Sequence, residues 1–223
     1  MELFASPLTC SFAVHVACLE AGVPFSLRHV VRKTKRLDDG GDYRDLAPQG
    51  IVPSIRLPDG SILTETSAVL QYVADRAPES GLAPAWGTVE RYRLVEWLHF
   101  VSTELHKKHL FPTFADESPD AVREYARSSA QRTLDHVERR LAAGGPFAMG
   151  ERFTVADAYL FWALLVAPYG GVSLDGRPAI AAYVERVRAR PSVKAALAKE
   201  LPLYVADSGG PPRVATATAS ASA

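Results

Sequence analysis

The sequence predicts an α/β domain followed by an all-α domain, on three observations. Residues 2–76 follow the order strand, helix, strand, hairpin, helix. The Pro-, Gly- and Ser-bearing run Ala77-Pro78-Glu79-Ser80-Gly81-Leu82-Ala83-Pro84 then breaks the pattern. Beyond it no β-rich alternation appears before residue 200, while apolar residues recur at helical spacing. These boundaries place one domain at 1–77, a linker at 78–87, a helical domain at 88–203 and a disordered tail at 204–223.

The first strand is Glu2 to Ala5, followed by the loop Ser6-Pro7-Leu8-Thr9. Ser11 to Ala21 reads as a helix with Phe12, Val16 and Leu19 on its apolar face and Gly22 at the C-cap. Ser26 to Val31 is the second strand. A basic loop, Arg32 to Arg36, leads to Asp42–Leu46, a single helical turn. Ser54–Leu57 and Ser61–Leu63 are short β-runs joined by Pro58-Asp59-Gly60, a hairpin turn sequence. From Thr64 the period becomes helical, with Thr64, Thr66 and Ser67 as candidate N-caps ahead of Val69, Leu70, Tyr72 and Val73. This βαβ–ββα order matches a thioredoxin-like fold with a mixed four-stranded sheet.

In the helical part, Thr88 to about Leu110 reads as one long helix with Tyr92, Val95, Leu98, Val101 and Leu105 on its apolar face. His99, Thr103 and His106 share a polar stripe, with Lys107 adjacent. A helix from Ser118-Pro119 runs to about Ala143. Thr154 and Asp157 form a capping box ahead of a central helix that is apolar all round. Pro178 and Pro191 open two further helices, the second ending near Lys199. After Leu203 the Gly-, Pro-, Ala-, Thr- and Ser-rich composition offers too little apolar surface to offset ordering.

Composition narrows the class. With 25 basic and 25 acidic residues, the chain's formal net charge is zero. That balance argues against a nucleic-acid or anionic-membrane partner. MELFASPLTC lacks the features of a signal peptide, and no window reaches membrane-spanning length. Two cysteines, Cys10 and Cys18, make no secreted disulfide framework, so the expected location is the cytoplasm.

Three groups of residues carry chemistry. Val52-Pro53 opens a strand, and a cis bond there would leave the N–H and C=O of Val52 unpaired. An extended peptide could then add antiparallel to Val52, with its carboxylate at Thr66 on the helix N-terminus and its amino group at Glu65. Without a ligand the same segment is a hairpin and a capped helix. Cys10 sits at a strand-to-helix junction, where amides and helix dipole favour a lowered thiol pKa, and Thr9 and Ser11 flank the sulfur. Its other reading is a small buried hydrophobe, which is also the expectation for Cys18. His106, titrating near neutrality, is the second chemical group and could hold a thiol or thiolate. No third ligand accompanies His106 and His109, so no metal site is expected.

Taken together, Val52-Pro53, Asp59-Gly60, Leu63-Thr64-Glu65-Thr66 and the helix through Tyr72-Val73-Ala74-Asp75 resemble the glutathione-binding segment of glutathione transferases. The chain resembles the cysteine-containing bacterial beta class from Met1 to about Leu203. The stretch Glu96 to Lys107 (EWLHFVSTELHK) is similar to that class as well. The resemblance implies a glutathione transferase fold, glutathione as co-substrate without a metal, a hydrophobic electrophile and a homodimer. It implies that Lys35 reaches the glycine carboxylate, that His106 and Lys107 line the active site, and that His99 and Thr103 contact glutathione from the neighbouring subunit. His99 stands where the class commonly has asparagine. Leu3-Phe4-Ala5 lacks the activating tyrosine of many relatives, which places more weight on Cys10. The expected reaction is attack of the glutathione thiolate on an electrophilic carbon, in a pocket built from Ser6–Leu8, Leu110–Ala115 and Trp162–Tyr169. Two alternatives remain: glutathione-dependent disulfide reduction or peroxidation through a Cys10 mixed disulfide, and a non-catalytic ligand-binding protein of the same fold.

Overall fold

The structure, a computed structural model, describes residues 1–212. The sheet has the order β2-β1-β3-β4, built from β1 (Glu2–Ala5), β2 (Ser26–His29), β3 (Ser54–Arg56) and β4 (Ile62–Thr64). β1 runs parallel to β2 and antiparallel to β3, so Leu3 faces Leu27 on one side and Ile55 on the other. Successive strand side chains point to opposite faces. Leu3 therefore enters the main core with helix α1 (Ser11–Ala21), while Phe4 enters a smaller cluster with Val30, Tyr43 and Ala47. α1 ends at Gly22, whose φ of 63° suits a residue without a Cβ. Cys18 is fully buried in the core, and Leu19 turns toward solvent rather than joining the apolar face.

Helix α2 (Thr66–Asp75) follows β4 directly. None of the candidate N-caps closes it: Glu65 occupies the N-cap position, and its side chain makes no capping hydrogen bond. The linker is tied down by Arg91, a fully buried cation absent from the sequence reading. Arg91 donates to both carboxylate oxygens of Asp75, at 2.8 and 3.0 Å, and lies 3.9 Å from the Trp86 ring centroid. Tyr92 faces outward, and the buried positions are Arg91, Leu94, Trp97 and Leu98.

The expected long helix is three elements. α3 (Val89–Phe100) passes into a π-helix, Val101–Leu110, and then into the short α4 (Phe111–Phe114). The wider π winding changes which residues share a face, because i→i+5 bonds turn the chain less per residue than α-helical bonds. Val101, Leu105, His109 and Leu110 go to the core, whereas Ser102, His106 and Lys107 line a cleft.

α5 (Asp120–Gly144), α6 (Val155–Val166), α7 (Pro178–Arg188) and α8 (Pro191–Ser208) complete the helical half. Every residue of α6 is buried, and α1 packs against both α6 and α8, so one core spans both halves. α8 extends beyond the expected end at Lys199 and into the 204–223 segment expected to lack order. Asp207 anchors this extension through a 2.9 Å contact with His29, and Gly209, at φ 73°, ends the helix. The rest of the expected tail, residues 213–223, lies outside the described residues.

The Asp157 box is present and carries more than the cap. Asp157 accepts from the Thr154 N–H at 2.8 Å, the Thr154 hydroxyl at 3.0 Å, the Ala148 N–H at 2.7 Å and the Tyr183 hydroxyl at 3.1 Å. Replacing it with alanine strands several buried donors at once. We expect Asp157→Ala to cost about 3 kcal/mol in urea unfolding, combining a lost cap with unpaired groups. A loss below about 1 kcal/mol would contradict this.

Candidate active site

A cleft opens where the N-terminus of α1, the hairpin and the π-helix meet. It is lined by Cys10, the segment Gln49–Pro53 apart from Gly50, Thr64 to Thr66, Ser102, His106, Lys107 and Tyr159. The Val52-Pro53 bond is cis. Tyr43 shapes this wall from beneath, donating to the Ile51 carbonyl at 3.0 Å and lying 2.7 Å from the Ser54 hydroxyl. Among the described residues the Val52 N–H finds no hydrogen-bond partner. The expectation of an unpaired carbonyl needs correction: the Val52 oxygen accepts the Cys10 thiol, 3.3 Å from Sγ.

Across the cleft, the first amides of α2 lack a side-chain cap, and a helix N-terminus with open amides suits an anion. Thr66 is buried beside them, and Glu65 sits at φ 69°, an uncommon conformation for a residue with a Cβ. Such local strain concentrates where a side chain must be aimed.

The expected low pKa of Cys10 is overturned. Burial pushes the thiol up, and this outweighs the opposing pull of the Thr66 hydroxyl and the Lys107 ammonium. The local amides do not offset burial: Phe12 N–H donates to the Thr9 carbonyl and Ala13 N–H to the Cys10 carbonyl, while the Cys10 N–H adds a smaller downward pull on the thiol. Thr9 and Ser11 do not serve the sulfur either, since both hydroxyls donate to the Ser6 carbonyl, each at 2.9 Å. The resting Cys10 is therefore a neutral thiol acting as a donor. Cys18 is pushed up to about 12 by burial and is inert.

His106 also departs from expectation. Burial, with Lys107 as the second cause, pulls its pKa down to about 3, so the ring is neutral at working pH. Its Nδ1 lies 2.8 Å from the Tyr159 hydroxyl, and its ring packs edge-on against Trp162. Among the described residues its Nε2 has no hydrogen-bond partner.

Lys35 does not line the cleft but stands at its end. Its stem passes over Gly50 beside that of Arg44: a Cβ built on Gly50 would lie 3.6 Å from Lys35 Cε and 3.4 Å from Arg44 Cγ. Burial and the neighbouring Arg32 and Arg44 lower its pKa, the electrostatics of a cation awaiting an anion. His99 and Thr103 lie on the outer face, where Thr103 donates to the His99 carbonyl at 3.0 Å, and neither lines the cleft of its own chain. None of the three segments expected to form the electrophile pocket lines this cleft. Its rim carries the exposed Phe111 ring, 5.0 Å from Lys107 Nζ.

Sequence reasoning missed Ser102 and Tyr159, hidden on a π-wound segment and in an all-apolar helix. It also missed the clamp on the Cys10 loop. Leu8, at φ 57°, donates its N–H to Glu200 at 2.7 Å and accepts from Trp162 Nε1 at 3.0 Å. Among the described residues no group of three His, Cys, Asp or Glu side chains could hold a metal, and no helix is long and apolar enough to cross a membrane.

The pull on His106 has a spectroscopic consequence. Its folded pKa lies below the unfolded value, so the folded ring stays neutral while the unfolded one protonates as pH falls through about 6.5. NMR of the His106 ring should show no titration between about pH 5 and 8. A midpoint near 6.5 would contradict the burial described here.

Residues 9–76 match the N-terminal domain model of glutathione S-transferases and residues 104–200 the C-terminal domain model. Glutathione S-transferase GstA of Escherichia coli O157:H7 is 38% identical over 200 residues, 90% of this chain and 98% of that protein. A sphingomonad glutathione S-transferase solved with glutathione superposes with a TM-score of 0.85 at 38% identity, covering 90% of this chain and 98% of that one. BphK, a bacterial transferase solved as a ternary complex, gives 0.86 at 41% identity, covering 90% and 99%. Two family models, and relatives of 38% and 41% identity that each cover 90% of the chain, show that the protein belongs to the glutathione S-transferase family.

Proposed function

We propose that the protein conjugates the glutathione thiolate to hydrophobic electrophiles. The observation that carries this is Val52, which lines the cleft with an N–H that has no hydrogen-bond partner among the described residues, beside the uncapped start of α2 and with Cys10 Sγ 3.3 Å from its oxygen. Glutathione would pair its cysteinyl main chain with Val52, place its γ-glutamyl carboxylate on the Thr66 amide and hydroxyl, and present its amino group to Glu65. Lys35 would take the glycine carboxylate. The cysteinyl sulfur would then lie among Cys10, His106 and Lys107, whose donors favour its anion. Each unit of thiol pKa lowering corresponds to about 1.4 kcal/mol of preference for the thiolate. Residues 1–77 would bind glutathione and 88–203 hold the electrophile, which meets Phe111 and Lys107 at the rim and gains chiefly by proximity.

His99 and Thr103 would serve the partner subunit's glutathione across a homodimer, consistent with their outward stance and with the exposed Trp86, Val89 and Tyr92 on the same half. Sedimentation should give about twice the 24.1 kDa chain mass. A monomer at micromolar concentration would contradict the shared site.

A second reading, disulfide reduction through a Cys10 mixed disulfide, is favoured only by the position of Sγ on the cleft wall. A buried neutral thiol that donates to a carbonyl suits hydrogen bonding better than nucleophilic attack. Cys10→Ser, assayed with a chlorinated aromatic acceptor and with a glutathione mixed disulfide, separates the two. We expect conjugation to fall by no more than about tenfold, the worth of one hydrogen bond, and disulfide reduction to vanish. Loss of conjugation by about a thousandfold or more would mean that Cys10 is covalently required.

A further inference from the structure

The Val52 carbonyl stands between two donors. It accepts the Cys10 thiol at 3.3 Å, and Cys10 is only 7% exposed. Yet this oxygen is also the acceptor that an added antiparallel strand would use, because a residue pairing with Val52 exchanges both its N–H and its C=O with it. The Val52 N–H is free for one half of that exchange, and the oxygen is already engaged in the other.

We propose that the Val52 carbonyl is a backbone switch that couples glutathione binding to Cys10: the cysteinyl N–H of the incoming tripeptide takes the carbonyl and releases the Cys10 S–H to turn onto the glutathione sulfur. This rests on the conjugation reading above and deepens it. Two preferences drive the exchange. An amide N–H is a stronger donor to a carbonyl than a thiol is. An anionic sulfur is a stronger acceptor for the released S–H than a neutral carbonyl, since charge-assisted hydrogen bonds are roughly twice as strong as neutral ones. No covalent bond is made or broken, and Cys10 keeps its proton throughout. The Lys107 ammonium acts on the same sulfur. The thiol is turned onto Val52, and a ligand with a main-chain donor at the cysteinyl position makes it available. Specificity for a peptide thiol would then be written partly into catalysis rather than into binding alone.

The test compares glutathione with its analogue N-methylated at the cysteinyl nitrogen, which cannot donate to Val52. Each is titrated into the full-length protein, and the ionisation of the bound thiol is followed by thiolate ultraviolet absorbance in wild type and Cys10→Ala. With glutathione, Cys10→Ala should raise the bound thiol pKa by about one unit, the effect of one lost donor. With the N-methyl analogue, the same substitution should change nothing. An equal effect on both ligands would overturn the switch. A second measurement does not need the analogue: the infrared S–H stretch of Cys10, recorded in a Cys18→Ala background, should shift when S-methylglutathione saturates the site. An unchanged stretch with bound ligand, established by calorimetry, would overturn the switch but leave the binding mode standing. Absence of calorimetric binding by glutathione itself would sink the functional reading, and the switch with it.

Discussion

The site depends on backbone polar groups that the fold leaves without protein partners. An N–H buried away from both water and protein is costly, and folded chains rarely keep one without use. Here the Val52 N–H and the first amides of α2 are left open within one cleft. One asks for an extended main chain and the other for an anion. A peptide with a free carboxylate is the chemistry that suits both.

The side chains then hold that backbone in shape. Tyr43 fixes the Ile51–Ser54 wall from the small core behind the sheet. Leu8 is gripped by Glu200 and Trp162, so the helical half sets the loop that presents Cys10. Glu200 is itself tied to His15 at 2.8 Å, which places the α8 carboxylate at the junction of both halves. The Asp157 box anchors α6, and α6 supplies Tyr159 and Trp162 to the His106 ring. Stability and chemistry therefore share elements: loosening α6 or α8 would be felt at the sulfur.

Much of this was legible in the sequence because it is local. Pro58-Asp59-Gly60, Gly22 and the Thr154–Asp157 box each determine structure within a few residues, and the strand order followed from them. The hairpin and helix start between Val52 and Thr66, with the cis Val52-Pro53 bond, were legible for the same reason. What failed depends on tertiary burial. The helix-end argument gave Cys10 a low pKa, but its flanking amides and hydroxyls are spent on Ser6, Thr9 and Cys10 carbonyls, and desolvation prevails. His106 was expected near neutrality because its surroundings on α6 lie 53 residues away in sequence. The π winding of 101–110 is invisible to a period count, and it sets Ser102 beside His106 and Lys107 on the cleft wall while His109 turns to the core. The end of α8 was misjudged on composition, since one Asp207–His29 contact holds a turn that its apolar content would not.

The account stands most directly on where glutathione lies. A crystal structure of the protein with glutathione should show the cysteinyl residue paired antiparallel with Val52, one terminal carboxylate on the Thr66 amide, the other near Lys35, and the Cys10 sulfur within hydrogen-bond reach of the ligand sulfur but not joined to it. Glutathione bound away from the Val52 edge, or a continuous S–S bond to Cys10, would contradict it.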